Sequence, residues 1–247
     1  MAENALLGAI ERTVLDTPDA LAFEAEGERT TYGELWAASD NVAAAISAHS
    51  RDRLPVVVFG HKDFRMLAGF LGCLKSGHAF VPVDVELPAS RIGDIVSQLD
   101  DPLFVAASSL PEALLSHVSA RRVIDISRGD LSQAAAFDEA SLPKPNRSTW
   151  VSGEETHYII FTSGSTGKPK GIEVSAENVE NFMAWVRTFP VVREGGRMFL
   201  DQPPYSFDLS EYELLGALST SGCLHAVPRE LAENTRALFD DLRTAGI

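Results

Sequence analysis

The stretch PVVVFGHKDFRMLAGFLGCLKSGHAFVPVD, residues 55–84, decides the fold. Pro55 to Gly60 is a short apolar run rich in β-branched residues, the pattern of a strand buried on both faces. Asp63 to Lys75 then sets Phe64, Leu67, Ala68 and Leu71 at the i, i+3, i+4, i+7 spacing of an amphipathic helix, and Gly77 stops it. Ala79 to Val83 is the next apolar strand. A strand, a helix and a strand in so short a span imply a right-handed crossover and a parallel sheet covered on both faces.

The alternation extends in both directions. Ala20 to Ala25 and Glu28 to Tyr32 read as a hairpin around Gly27, and Thr31-Tyr32-Gly33-Glu34 is a capping box opening a helix through about Ala48. Downstream come a helix at Pro88 to Leu99, a strand at Leu103 to Ala107, a helix at Pro111 to Val118 and a strand at Arg122 to Ile126. From Ser127 to about Glu155 the pattern dissolves into small and polar residues, apart from a helical turn near Ala134, and predicts a long surface connection. Periodicity returns with strands at Tyr158 to Thr162 and Gly171 to Val174, then a helix N-capped by Ser175 that runs through Val179, Phe182, Met183 and Val186. A strand at Met198 to Leu200, a loop over 201–208, a helix over Leu214, Leu215 and Leu218, a strand near Cys223 to Val227 and a helix ending at Ala245 complete the pattern. The expectation is an α/β fold of mostly parallel sheets flanked by helices, with a first α/β region at 1–126, the connection at 127–155 and a second α/β region at 156–247.

Composition narrows the function. The 247 residues are 45% hydrophobic and carry a net charge of −14, which argues against a chain that coats nucleic acid or an anionic membrane. Any anionic ligand must be caught by a local arrangement. Two cysteines make neither a disulfide framework nor a zinc spacing, and point to a reducing compartment. The start MAENALLGAI has no basic leader, and no apolar stretch approaches the roughly 18 residues of a membrane span, so the expected location is cytoplasmic. His61, His78, His157 and His225 lack metal-ligand spacing and are expected at the surface or with satisfied rings; no metal site is expected among them.

FTSGSTGKPKG, residues 161–171, is the local arrangement that suits an anion. Its glycines let backbone N–H groups turn inward, Thr162, Ser163, Ser165 and Thr166 add hydroxyl donors, and Lys168 and Lys170 add charge. The spacing of a Walker A loop is absent, and so is GxGxxG.

In order, TSGSTGKPKG resembles the signature loop of the adenylate-forming superfamily of acyl-CoA synthetases, peptide-synthetase adenylation domains and luciferases. Three further blocks agree: Thr31-Tyr32-Gly33-Glu34-Leu35 is similar to its T-Y-x-E-L element, LKSGHAFVPVD at 74–84 to its L-K-A-G-x-A-Y-V-P-I-D block, and Phe207-Asp208-Leu209-Ser210 to the F-D-x-S element of its amino-acid-activating branch. Within that branch, the stretch from Phe199 to Val227 is most similar to D-alanine–D-alanyl carrier protein ligases, with peptide-synthetase adenylation domains close behind. The LKSGHAFVPVD block is expected to pack the core.

The resemblance implies an ATP-dependent ligase with Mg2+ that joins a small amino acid, such as alanine, to AMP and passes it to a phosphopantetheinyl carrier protein. Thr162, Ser163, Gly164, Ser165, Thr166 and Gly167, with Lys168 in a lesser part, would wrap the β- and γ-phosphates, and Lys170 would stabilise charge moving to the leaving pyrophosphate. Asp208 would pair with the substrate's α-ammonium group, and Phe207, Leu209 and Tyr212 would line its pocket. Asp208 also fits an N-cap with Glu211 three residues on, but Ser210-Glu211-Tyr212-Glu213 offers an equally good capping box that frees Asp208.

The enzymes it resembles are roughly twice as long, and their principal magnesium ligand, ribose contact and catalytic lysine of the mobile domain fall in blocks beyond Ile247. The resemblance therefore implies an incomplete N-terminal domain, a complementary C-terminal half as partner, weak ATP affinity and no adenylate formation by these residues alone. Two other readings stay open: a non-catalytic fragment that binds a partner, and a fragment of an acyl-CoA or aryl-acid ligase, whose substrate lacks the amine that Asp208 would pair with.

Overall fold

A computed structural model describes residues 4–25, 27–50, 52–115, 122–131, 145–163 and 168–247. The chain starts with α1 (Ala5–Asp16), the hairpin β1 (Leu21–Ala25) and β2 (Glu28–Thr31), and α2 (Tyr32–His49). The expected capping box forms, with Glu34 N–H donating to Thr31 Oγ1 and Thr31 N–H donating to the Glu34 carboxylate. Next come β3 (Val56–Gly60), α3 (Phe64–Lys75), β4 (Phe80–Asp84), α4 (Ala89–Val96), β5 (Phe104–Ala106), α5 (Glu112–Leu115) and β6 (Val123–Asp125). Then follow β7 (Thr156–Ser163), β8 (Pro169–Ser175), α6 (Ala176–Val186), α7 (Pro190–Arg193), β9 (Met198–Asp201), α8 (Ser210–Leu218), β10 (Cys223–Ala226), α9 (Arg229–Ala232) and α10 (Thr235–Ala245). Among the described residues, no helix is long and apolar enough to cross a membrane.

The quoted strand–helix–strand forms as read. Asp63 caps α3 by accepting from Arg65 N–H, and β3 and β4 run parallel from Val56 opposite Phe80 to Gly60 opposite Asp84. Gly77 ends the helix turn at φ 85°, where a Cβ would also stand 2.8 Å from the carbonyl oxygen of Thr149, so only glycine fits. The strands assemble as β6-β5-β3-β4-β7-β8 in one sheet and β2-β1-β10-β9 in another. Among the described residues, all pairs are parallel except the hairpins β1–β2 and β7–β8. Each sheet takes strands from both the 1–126 and the 156–247 region.

Alternation along β3 explains the layering. Val56 and Val58 pack into a core that also holds Phe23, Phe199 and Leu224 of the second sheet, while Val57 and Phe59 face Val81, Phe104, Ile92 and Ile95 on the other side. The LKSGHAFVPVD block is part of this core: Lys75 is buried over the Trp36 ring and donates to Asp40 Oδ1 and Ser39 Oγ, each at 2.7 Å.

Three expectations need correction. The 127–155 connection is not all surface, because Val151 N–H donates to Leu74 O and Asn4 Nδ2 to Val151 O, drawing Val151 and Trp150 into the core beside Leu131. His157 and His78 are buried with one ring nitrogen each left without a hydrogen bond, so neither is satisfied. Burial against Phe80 and Tyr158 pushes His157 down to about 3 and keeps it neutral. At α8 neither expected cap forms, as described below. Of the helix expected at Pro111 to Val118, 116–118 lie outside the described residues, as does the turn near Ala134.

The helix α10 has no buried residue, and His225 on β10 ties it down, with Nε2 2.7 Å from Asp241 Oδ2 and Nδ1 2.8 Å from Glu24 Oε1. Burial opposes charging this ring, but the bonds and charges of Asp241 and Glu24 outweigh it and raise its pKa above the ordinary 6.5. A raised histidine pKa contributes stability fully below the unfolded value and loses it as pH rises through the folded one. Amide protection along α10, corrected for intrinsic exchange, is therefore expected to fall as pH rises above about 6.5. His225→Gln should remove that dependence; protection that is flat with pH in the native chain would refute the clamp.

Candidate functional site

Because β3, β4 and β7 are parallel, their carboxyl ends share one edge, where open α/β sheets place ligands. Gly60, Asp84 and Ser163 close those strands. Beyond β3, His61 Nδ1 lies 2.9 Å from Asp84 Oδ2. The next residue, Lys62, donates to the backbone oxygen of Asp201 at 2.6 Å and to its Oδ1 at 2.8 Å, joining the end of β3 to the end of β9. Asp201 Oδ2 accepts from Tyr205 Oη at 2.6 Å, and the Tyr205 ring meets Phe70 of α3 edge-on. Burial pushes the Lys62 ammonium down and the Asp201 carboxyl up, each opposed by the other's charge.

The donor-rich loop is the tip of the β7–β8 hairpin. Thr162 pairs with Lys170 and Ser163 with Pro169. Thr162, Ser163, Lys168 and Lys170 are exposed there, while Gly164, Ser165, Thr166 and Gly167 lie outside the described residues. These four described side chains present two hydroxyls and two cations and no carboxylate, a donor set that suits a polyphosphate on a chain of net charge −14. His157, buried on the same strand, takes no part in the tip.

Nearer the start of the hairpin a cavity of about 330 Å³ opens between β7, β8, α6 and α8, at the small end of the range for ligand pockets. Val174, Val179, Phe182 and Leu215 make its apolar wall; Tyr158, Asn178, Asp208 and Glu211 bring polar groups. Asn178 is held by the α6 capping box, donating its N–H to Ser175 Oγ and accepting from Ser175 N–H at its Oδ1. A second cavity, about 480 Å³ between α4 and β5, contains none of the expected site residues.

Asp208 lines the smaller cavity and is exposed; Phe207 and Leu209 beside it are also exposed, and Tyr212 instead rests edge-on against Phe189. Asp208 is not an N-cap, and the Ser210 to Glu213 box does not form, because successive backbone turns feed α8. Ser210, Glu211 and Tyr212 donate their N–H groups to Phe207, Asp208 and Leu209 carbonyls, leaving little for a side chain to cap, and Ser210 Oγ donates back to Phe207 O. Glu211, read from sequence only as a helix-start acid, is buried at 6% exposure with Oε2 unbonded, and burial followed by the charge of Asp208 pushes its carboxyl up to about 8. Tyr158 is likewise raised, by burial and then by Glu211 and Asp208. The sequence carries no signal for this burial, because acids at a helix start usually stay solvated and complement the helix dipole.

A profile of the AMP-binding enzyme family matches residues 10–247. A D-alanine–D-alanyl carrier protein ligase of Bacillus licheniformis is 37% identical over 248 residues, covering 98% of this chain and 46% of the relative. The same-named ligase of Bacillus velezensis is 38% identical over 240 residues, with 96% and 45% covered, and that of Bacillus cereus 35% over 244, with 98% and 46%. The chain thus spans about half the length of these relatives.

Removing one partner of a buried ion pair leaves the other charge uncompensated, at a cost of about 3–5 kcal/mol. Asp201→Ala is expected to lower the urea-unfolding free energy by that amount and Lys62→Met, Asp201→Leu together by much less. Equal losses in the single and double variants would show that the pair does not hold the two strand ends.

Proposed function

The chain belongs to the AMP-binding enzyme family, and we propose that it forms the phosphate-loop and substrate-cavity part of an ATP-dependent ligase that adenylates a small amino acid. In the reaction proposed, a carboxylate oxygen of the amino acid attacks the α-phosphorus of ATP, the bond to the bridging oxygen breaks, and pyrophosphate leaves. The thiol of a phosphopantetheinyl carrier protein then attacks the acyl carbon and displaces AMP. The observation that carries this reading is that one hairpin bears both a cationic, hydroxyl-rich tip and a wall of the acidic cavity.

Thr162 and Ser163, with Gly164, Ser165, Thr166, Gly167 and Lys168, would hold the β- and γ-phosphates. Lys170 would offset charge that develops on the departing pyrophosphate, the kind of contact worth about 2.7–4 kcal/mol in other enzymes. No side chain is asked to attack the substrate, so positioning and charge carry the rate. Magnesium would neutralise phosphate charge, but among the described residues no His, Cys, Asp and Glu group suits a metal, so none is assigned to it here. Asp208 would take the amino acid's ammonium group. A ligase for acids without an amine would leave Asp208 without a counter-charge beside the buried Glu211, which favours the amino acid. The exposed Phe207 and Leu209 flanking Asp208 offer apolar cover for a complementary half of the kind that fills out the relatives' length.

Calorimetric titration of the 247-residue chain with ATP is expected to show weak binding that a Lys170→Ala, Gly164→Val variant loses. Equal binding by the variant would overturn the loop's role. Asp208→Asn is expected to weaken alanine binding about tenfold or more with little change in melting temperature, since Asp208 caps no helix. Earlier melting with undiminished alanine binding would make Asp208 structural only.

A further inference from the structure

The helix dipole favours an acid at the start of α8, but it does not require one that is buried with an oxygen left unbonded, as Glu211 is. It stands in the first turn of α8, where the N–H groups of Ser210, Glu211 and Tyr212 already find carbonyls of the preceding turns. Its Oε2 is buried with no partner, an arrangement folded proteins rarely keep without a use. The side chain lines the cavity together with Asp208 of the preceding turn. Among the described residues, the other elements around the cavity bring no balancing charge: β7 adds the titratable Tyr158, β8 brings Val174, α6 brings Asn178, Val179 and Phe182, and no Lys, Arg or His lines it. Two carboxyls thus share a small, largely apolar space that lacks a cation.

We propose that Glu211 is a specificity-determining carboxylate of this cavity, holding the ligand's ammonium group jointly with Asp208 so that an amine-bearing ligand is chosen over a neutral one of the same shape. The inference rests on the amino-acid reading of the cavity. An ammonium group has three N–H donors, enough for both carboxylates with one left over. Before a cation binds, Glu211 is a neutral acid below about pH 8, because burial and the nearby Asp208 charge disfavour its ionised form. As the cation enters, the balance reverses: the Glu211 O–H bond breaks, the proton passes to solvent, and the carboxylate pairs with the ammonium. Binding and proton release are then one linked event.

The test is calorimetry of the 247-residue chain with D-alanine, L-alanine and lactate, the last having a hydroxyl in place of the amine, in two buffers of different ionisation enthalpy. At about pH 7, alanine binding is expected to release nearly one proton, and below pH 8 the affinity should rise about tenfold per pH unit. Lactate should not bind. Glu211→Gln should bind alanine more weakly at pH 8, without proton release and without the pH dependence. Carboxyl carbon NMR of the native chain, with glutamate labelled, gives a measurement that needs no variant: the Glu211 signal should move from acid to carboxylate as alanine is added. Alanine binding with no proton release, with an unmoved Glu211 signal or with full affinity in Glu211→Gln, overturns the role of Glu211 and leaves the amino-acid cavity standing. Lactate binding as tight as alanine overturns the selection of an amine, and absence of alanine binding at every pH overturns the cavity's reading as well.

Discussion

One buried contact joins the two sheets at the carboxyl ends of β3 and β9. Lys62, directly beyond β3 in the six-stranded sheet, donates to both the backbone and the side chain of Asp201, the last residue of β9 in the four-stranded sheet. Its side chain is 4% exposed and that of Asp201 is fully enclosed, so neither charge can fall back on water. Tyr205 uses the remaining carboxylate oxygen and leans on Phe70, which anchors the loop leading to Asp208 onto α3. The placement of Asp208 and α8 therefore depends on a pair formed between residues far apart in the chain. Further along α8, Glu213 adds a partly buried carboxylate whose charge also favours the Lys62 ammonium. The two acids of the helix start thus serve different neighbours, Glu213 the junction of the sheets and Glu211 the cavity.

Charge is distributed so that one acidic chain can suit both an anion and a cation. The tip of the β7–β8 hairpin shows hydroxyls and lysines, and the cavity against its base shows carboxyls. Such separation matters because the overall charge of −14 would repel a polyphosphate, and only short-range donors offset that at ordinary ionic strength. The cavity has the opposite logic: Glu211 is buried beside an apolar wall, where an ion pair is stronger than in water and an unpaired carboxyl is costlier, while Asp208 stands at the exposed side.

What could be read from sequence was local. The hairpin at Gly27, the Thr31 and Ser175 caps, the periodic face of α3 and the stop at Gly77 each depend on residues within a few positions, and each forms. The pairing of β1 with β10 is different, since it joins Phe23 to Leu224 and no local pattern announces which parallel neighbour a strand will take. The same reason hides Lys62 and Asp201, ordinary surface residues by type until the two sheets meet. Of the candidate site, the exposed tip with Thr162, Ser163, Lys168 and Lys170 was legible because a strand, a donor-rich loop and a strand leave little choice. Glu211 was not: its burial comes from packing between α8, β7 and α6, whereas its sequence context offered a cap that the backbone turns made unnecessary.

The antiparallel pairing of β7 and β8, within sheets that are mostly parallel as expected, is what ties tip to cavity. Tyr158 and Val174 are register partners and both line the cavity; Thr162 and Lys170 are register partners at the tip, four positions along. At about 3.3 Å per residue, cavity and tip stand roughly 13 Å apart on a single ribbon. That span would suit the proposed ligand pair, with an ammonium group at one end and terminal phosphates at the other. Parallel strands joined by a crossover helix could bring the same side chains near one another, but their spacing would then follow from helix packing. In a hairpin it follows from strand register, and a slip of one residue would turn every side chain to the opposite face. Tyr158 and Ile160 on the core-facing side and Ile159 on the other secure that register, so the separation between the two candidate subsites is set by the same burial that holds the sheet together.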